Sequence, residues 1–261
     1  MRTTLRTLVT LTTTAAALLL PAAATAAVPA GSCEHPLGAD RANVAYQWKS
    51  RSNAWRIRPA LVTVKTTTGP GRGAKNGTLT QSTEHTGIEA WYLVLNARQV
   101  GSRCYLQVRL PAAPRLRSGW VDRDYVIAQR LRWQVEIDLS DRRVRMYRGT
   151  RLVLNRPVVI GKPSTPTPKS PSAAPFAIYD AKRGDASDFT GTWQIATTEH
   201  SRVDEGLGRI GLHGRGGESL KTPLGTAASH GCVRAANATV DAIVRKAGLR
   251  GLLGVPVVIR A

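Results

Sequence analysis

Ile210-Gly-Leu-His-Gly-Arg215 and, past a glycine-rich interval, Ser229-His-Gly-Cys-Val-Arg234 are the segments whose reading decides this chain. The first ends an apolar run on a histidine. The second sets one cysteine among small residues, nineteen positions beyond His213. A thiol is a strong nucleophile only as thiolate, and a nearby imidazole can take its proton. Gly214, Gly216, Gly217, Gly225 and Gly231 supply bends and let backbone approach a ligand closely. Ser229-His230-Gly231-Cys232 is expected to carry the thiol on a tight turn, with backbone N–H groups aimed at a developing oxyanion.

Other roles for these residues compete. His230 lies two residues from Cys232, so in an extended segment it shares a face with the thiol and rivals His213 as base. Ser229 sits in no Gly-x-Ser-x-Gly setting and reads as a local hydrogen-bonding group rather than a nucleophile. Arg234 suits a carboxylate, which a guanidinium holds bidentately. His213, His230 and Cys232 are all possible zinc ligands. No compact ligand spacing supports that reading, so neither a metal nor a cofactor is expected.

Taken in order, His213-Gly214 and then Ser229-His230-Gly231-Cys232-Val233-Arg234 resemble the signature of the L,D-transpeptidase (YkuD-type) catalytic domains. That family builds peptide cross-links in bacterial peptidoglycan. The resemblance covers about Leu131 to Ala261 and implies a mechanism. Cys232 is the nucleophile and His213 its base. The Gly214 carbonyl holds the ring, and the Gly231 and Cys232 N–H groups hold the oxyanion. His230 shapes the site, and Arg234 serves the substrate carboxylate or the loop. It further implies stem peptides as partners, a thioester intermediate, loss of the terminal D-alanine of a tetrapeptide, a 3→3 cross-link and acylation by carbapenems. Water as acceptor would make the same scaffold an L,D-carboxypeptidase.

A third reading is a non-catalytic wall-binding protein with a decayed domain. It draws on the loop 161–176. Related domains carry Thr-Pro-x-Gly-x-Phe after Gly-Lys-Pro. Here Thr165-Pro-Thr-Pro168 runs into Lys169-Ser170-Pro171 without that glycine, and Phe176 comes later.

The rest of the chain sets the context. Its 261 residues are 42% apolar, enough for a packed core in one large domain or two ordinary ones. Met1 to about Ala26 reads as a secretory signal peptide: Arg2 and Arg6, an apolar run from Leu8 to Leu20, then Ala24-Thr25-Ala26 as a cleavage site. Four threonines interrupt that run, which disfavours a permanent anchor, and no later stretch is long and apolar enough to span a bilayer. Export predicts a secreted or cell-wall location. The formal charge of +20 then points to the anionic cell envelope, or else to an arginine-rich coding style. Nucleic acid is disfavoured by the leader and by the lack of any binding motif. Of three cysteines, Cys33 and Cys104 both precede the signature. A Cys33–Cys104 bridge is expected, with Cys232 left free; two reduced thiols are the alternative.

The chain reads as mostly β, in a leader (1–26), a small SH3-like barrel (27–129) and a β-rich catalytic domain (130–261) with one clear helix. In the first region Leu61–Val64, Trp91–Leu95 and Cys104–Val108 are short strands, with turns at Thr68–Gly73 and Lys75–Gly77. The likeness to an SH3 barrel is loose, and wall docking and a plain spacer are its two readings. Trp133–Leu139 alternates apolar and polar, the pattern of a half-buried strand, and a meander follows through Ile160. Trp193–Glu199 and Leu252–Ile259 are further strands. Asn237 is expected to N-cap a helix over Ala238–Ala247, stopped by Gly248.

Overall fold

The computed structural model describes residues 33–35, 44–45, 54–111, 117–201 and 208–261. The expected leader lies outside them. Among the described residues no helix is long and apolar enough to cross a membrane.

The chain is mostly β, as its short alternating runs predict. A two-residue ladder, β1 (Glu34–His35) with β2 (Val44–Ala45), comes first. Then follow β3 (Ala54–Pro59), β4 (Thr63–Gly69), β5 (Arg72–Thr80), β6 (Tyr92–Val100), β7 (Arg103–Arg109), β8 (Ser118–Asp122) and β9 (Val126–Leu131). They form one sheet in the order β5-β4-β8-β7-β6-β3-β9. Every paired neighbour in it is antiparallel. β9 runs past residue 129 and pairs along its whole length with β3, so the first unit extends to Leu131.

The turn expected at Lys75–Gly77 is instead mid-strand in β5. Asn76 explains it: its Oδ1 accepts from Thr66 Oγ1 at 2.8 Å and its Nδ2 donates to the Ser118 carbonyl at 2.9 Å. The sheet absorbs the Asn-Gly pair as a register shift opposite Thr66 and Thr67.

Cys33 is bonded to Cys104, which is fully buried on β7. The bridge spans 71 positions, and chain-entropy accounting values such a loop at about 4 kcal/mol. Thiol titration of the denatured, unreduced protein should therefore find one reactive group, and three after reduction. Three before reduction would contradict the bridge.

The second unit comprises β10 (Trp133–Asp138), β11 (Arg143–Arg148), β12 (Arg151–Gly161), β13 (Phe176–Arg183), β14 (Trp193–His200), β15 (Arg209–His213), β16 (Ala227–Ser229), β17 (Val233–Ala235) and β18 (Pro256–Arg260). Helix α1 (Asn237–Ala247) and the short α2 (Leu249–Leu252) precede β18, so the last strand starts later than the apolar run Leu252–Ile259 predicts. The sheet order is β11-β10-β18-β13-β14-β15-β17-β12-β16. The eleven-residue β12 closes it: its first half pairs with β11 and its second with β17 and β16. The result is barrel-like.

β10 corrects its sequence reading. It lies between β11 and β18, and both of its faces are buried. Glu136, 2% exposed, meets Arg145 at 3.5 Å and Arg260 at 3.1 Å, and Asp138 meets Arg145 at 2.6 Å. Buried acids persist when cations and hydrogen bonds compensate them. Those cations come from other strands, so alternation alone reads the face as solvated.

The two units share their packing. Trp91, Leu93 and Leu95 of the first unit sit in the core built by Val135, Ile178, Ile243 and Val257 of the second. Arg56 donates from Nη1 to the carbonyls of Arg250 and Leu253, each at 2.6 Å, and stacks on Trp91. Arg109 donates to the Pro175 and Ala174 carbonyls. The first unit thus braces the second at the ends of β13 and α2.

Candidate active site

Register brings the two signature segments together. β15 and β17 are parallel neighbours, with Leu212 opposite Val233 and His213 opposite Arg234. Cys232 directly precedes β17, so the thiol reaches the edge of the strand that ends in His213. Both residues line a cavity of about 430 Å³, with Phe189, Ile210, His230 and Arg234.

His213 is 6% exposed. Its Nδ1 lies 2.7 Å from the Gly214 carbonyl. A carbonyl only accepts, so Nδ1 carries the proton and Nε2 is left as the basic nitrogen. Burial pulls His213 down to about 4; the Gly214 bond opposes this shift and the Arg234 charge adds to it. Burial pushes the Cys232 thiol up, against the Gly211 N–H and the Arg234 charge. The thiol donates to the Arg209 carbonyl at 3.8 Å. Both shifts favour neutral forms. The resting pair is therefore thiol and imidazole.

The turn is built from beneath. Gly231 has φ +114°, a conformation open to glycine and strained for other residues. Buried Ser229 donates to the Cys232 carbonyl at 2.5 Å and accepts from the Gly231 N–H at 3.2 Å. It closes the turn. The departing loop supplies the floor. Thr165 Oγ1 donates to the Ser229 carbonyl at 3.0 Å, and Thr167 Oγ1 to the Gly231 carbonyl at 2.7 Å. Thr167 Oγ1 also accepts from the Gly161 N–H at 2.8 Å. In a trans peptide the N–H points opposite to the C=O. Tying down the Gly231 carbonyl thus turns the Cys232 N–H away from the loop, whereas the Gly231 N–H is already engaged by Ser229. Composition marks 161–176 as a loop but does not say which carbonyls its hydroxyls reach.

His230 is exposed, with Nε2 at 3.5 Å from Lys162 Nζ. Arg234 is 8% exposed and lies over the Phe189 ring at 4.7 Å. Phe189 also stands 6.3 Å from the His213 ring. Sequence reasoning missed Phe189, Thr165 and Thr167, since no spacing ties them to the signature. Among the described residues no group of three or more His, Cys, Asp or Glu stands close enough to hold a metal ion.

Asn237 departs from its expected role. It opens α1 without a side-chain cap bond, and the N-cap position falls to Ala236. Its Oδ1 instead accepts from the Arg215 N–H at 2.9 Å and the Thr192 N–H at 3.2 Å.

Comparison with known proteins points to the L,D-transpeptidase catalytic domain. The family model described as YkuD, L,D-transpeptidase catalytic domain, matches residues 132–259. A Bacillus licheniformis protein named as an L,D-transpeptidase, YkuD, is 28% identical over 108 residues, covering 41% of this chain and 56% of that one. The chain therefore spans little more than half the length of that relative. Among solved structures, the catalytic domain of an Enterococcus faecium L,D-transpeptidase is 20% identical, with a TM-score of 0.34 over 49% of this chain and 95% of that one. An L,D-transpeptidase from Mycobacterium tuberculosis is 13% identical, with a TM-score of 0.40 over 64% and 76% of the two chains. Residues 132–259, which hold both signature segments, are thus similar to the YkuD L,D-transpeptidase catalytic domain.

Proposed function

We propose that this protein is an exported peptidoglycan L,D-transpeptidase working through a Cys232 thioester. The observation that carries the reading is the β15–β17 register. It supports the reading by bringing His213, whose Nδ1 is engaged by the Gly214 carbonyl, to the same cavity as Cys232. The Cys232 sulfur attacks the carbonyl of the third stem residue as its proton passes to His213 Nε2. The oxygen gains charge and is held by the Cys232 N–H. The carbon–nitrogen bond to the terminal D-alanine breaks as His213 returns the proton to the leaving amine, and a thioester remains. The amine of a second stem then attacks the thioester, loses a proton to His213 and expels the sulfur, which regains that proton. The product is a 3→3 cross-link.

In this account Ser229 and Gly231 shape the turn, His230 lies at its outer rim, and Arg234 with Phe189 forms the wall beside the base. The chain divides after Leu131. The first unit, which we read as SH3-like, braces the catalytic barrel. Export to the wall rests on the leader-like start and agrees with the disulfide. A cleft of about 670 Å³ at the seam, lined by Arg56, Arg130, Arg132 and Arg148 with Trp133, suits the anionic envelope.

Intact-mass measurement after exposure to a carbapenem tests the chemistry. One adduct per chain is expected, because among the described residues Cys232 is the free thiol available for acylation. A non-catalytic wall-binding protein gains no mass. Muropeptide analysis with defined tetrapeptide donors then assigns the acceptor: a cross-linked dimer marks transfer to an amine, and a bare tripeptide marks hydrolysis.

A further inference from the structure

We infer that Asn237 is a positioning residue for the base, acting on His213 through the Gly214–Arg215 peptide. The inference rests on His213 serving Cys232 as proposed above. His213 Nδ1 donates to the carbonyl of that peptide at 2.7 Å, and Asn237 Oδ1 accepts from its N–H at 2.9 Å. A peptide unit is planar, with N–H and C=O on opposite sides. Fixing the N–H therefore fixes the carbonyl, and the carbonyl fixes the tautomer and orientation of the imidazole. The usual device is a carboxylate or carbonyl bonded directly to the ring nitrogen. Here the ring's partner is a loop carbonyl, which needs an anchor of its own.

Asn237 is held in place to provide one. It lies two residues past the end of β17, five positions after the nucleophile, and opens a helix whose Val240 and Ile243 are fully buried. Its second accepted bond, from the Thr192 N–H at 3.2 Å, ties in the loop after Phe189. Its Nδ2 reaches the Ala186 carbonyl at 3.5 Å.

The surroundings are shaped to that oxygen. A Cβ at Gly191 would stand 2.1 Å from Asn237 Oδ1, and one at Gly214 would stand 2.2 Å from it. At Gly214 this side chain makes the tightest approach, and at Gly191 it shares the space with the Arg215 nitrogen, which would lie 2.3 Å from a Cβ. The amide also suits the electrostatics. A carboxylate would accept the same two N–H groups, but it would set a negative charge one peptide from the ring and stabilise the imidazolium. The neutral amide holds the peptide without raising His213.

Alkylation of Cys232 by iodoacetamide across pH, with donor kinetics alongside, tests the inference in the full-length protein. Asn237→Ala should cut the alkylation rate about tenfold or more near pH 6–7 and converge on the wild type at high pH, where thiolate forms unaided. Its kcat should fall by a similar factor, with KM within about threefold of wild type. Asn237→Asp should recover most of the rate, with the acid limb of its pH profile moved upward. A merely structural role would not move that limb. An Asn237→Ala protein that alkylates like wild type overturns the inference, as does an Asn237→Asp protein no better than Asn237→Ala. A wild type that shows the imidazole-assisted alkylation profile yet turns over no stem peptide refutes the proposed function and leaves the role of Asn237 standing.

Discussion

Cys232→Ala is expected to abolish both turnover of tetrapeptide donors and the carbapenem adduct, a loss of roughly 10⁴-fold or more in turnover, because the proposed covalent intermediate forms on its sulfur. Among the described residues Cys232 is the free cysteine, and Ser229, the nearest hydroxyl in the turn, is buried and committed to the Cys232 carbonyl. Cys232→Ser is expected to be nearly as inactive. An alcohol holds its proton far more tightly than a thiol, and a His213 pulled down to about 4 is too weak a base to remove it. The serine variant should stay folded, since it changes one atom at a partly exposed position. Adduct mass and muropeptide yield check the result together. A Cys232→Ala protein that still gains carbapenem mass would place the nucleophile elsewhere and dissolve the mechanism.

The parts legible in the sequence are those where chemistry restricts residue type over a short span. His213-Gly214 and Ser229-His-Gly-Cys232 combine residue types suited to a turn-mounted thiol and a base, and the fold joins the two segments by a two-pair parallel register. Strand-rich character was equally legible, because alternation is local. What escaped depends on partners far away in the chain. Asn237 has the type of a helix cap and sits at a helix start, so local pattern assigns it there. Only the fold brings Arg215 and Thr192 within reach of its oxygen. Thr165 and Thr167 look like loop polarity until their hydroxyls meet the carbonyls of Ser229 and Gly231. The loop whose missing glycine suggested decay carries both of these hydroxyls. Glu136 and Asp138 follow the same rule: alternation reads them as solvated until Arg145 and Arg260 arrive from other strands.

His213→Ala is expected to lower the acylation rate by about 10²–10⁴-fold, the usual worth of a positioned base, and to change the shape of the pH profile. In the wild type the neutral imidazole persists down to about 4, so the rate should hold across the neutral range and fall only as His213 protonates. Without it, the rate should climb steadily with pH toward the raised value of the Cys232 thiol. His230→Ala should keep far more activity, since that ring faces solvent beside Lys162 rather than the pinned carbonyl. A reversed ranking would transfer the base role to His230. Chelators should change neither profile; a loss in chelator restored by zinc would make the histidines ligands instead. Stability should carry the same signature with a definite sign. The native state resists protonation of His213 below its unfolded value near 6.5, so between there and about 4 the unfolded chain binds the extra proton. Stability is therefore full above about pH 6.5 and declines toward pH 4, by up to about 3 kcal/mol from this one group. Denaturant melts of wild type and His213→Gln across that window separate the contribution, because the glutamine variant cannot titrate and should lose the slope that His213 adds. If the slope persists unchanged in His213→Gln, the imidazole is not held neutral by its burial, and the neutral resting pair at the centre of this mechanism must be replaced by a preformed thiolate–imidazolium pair.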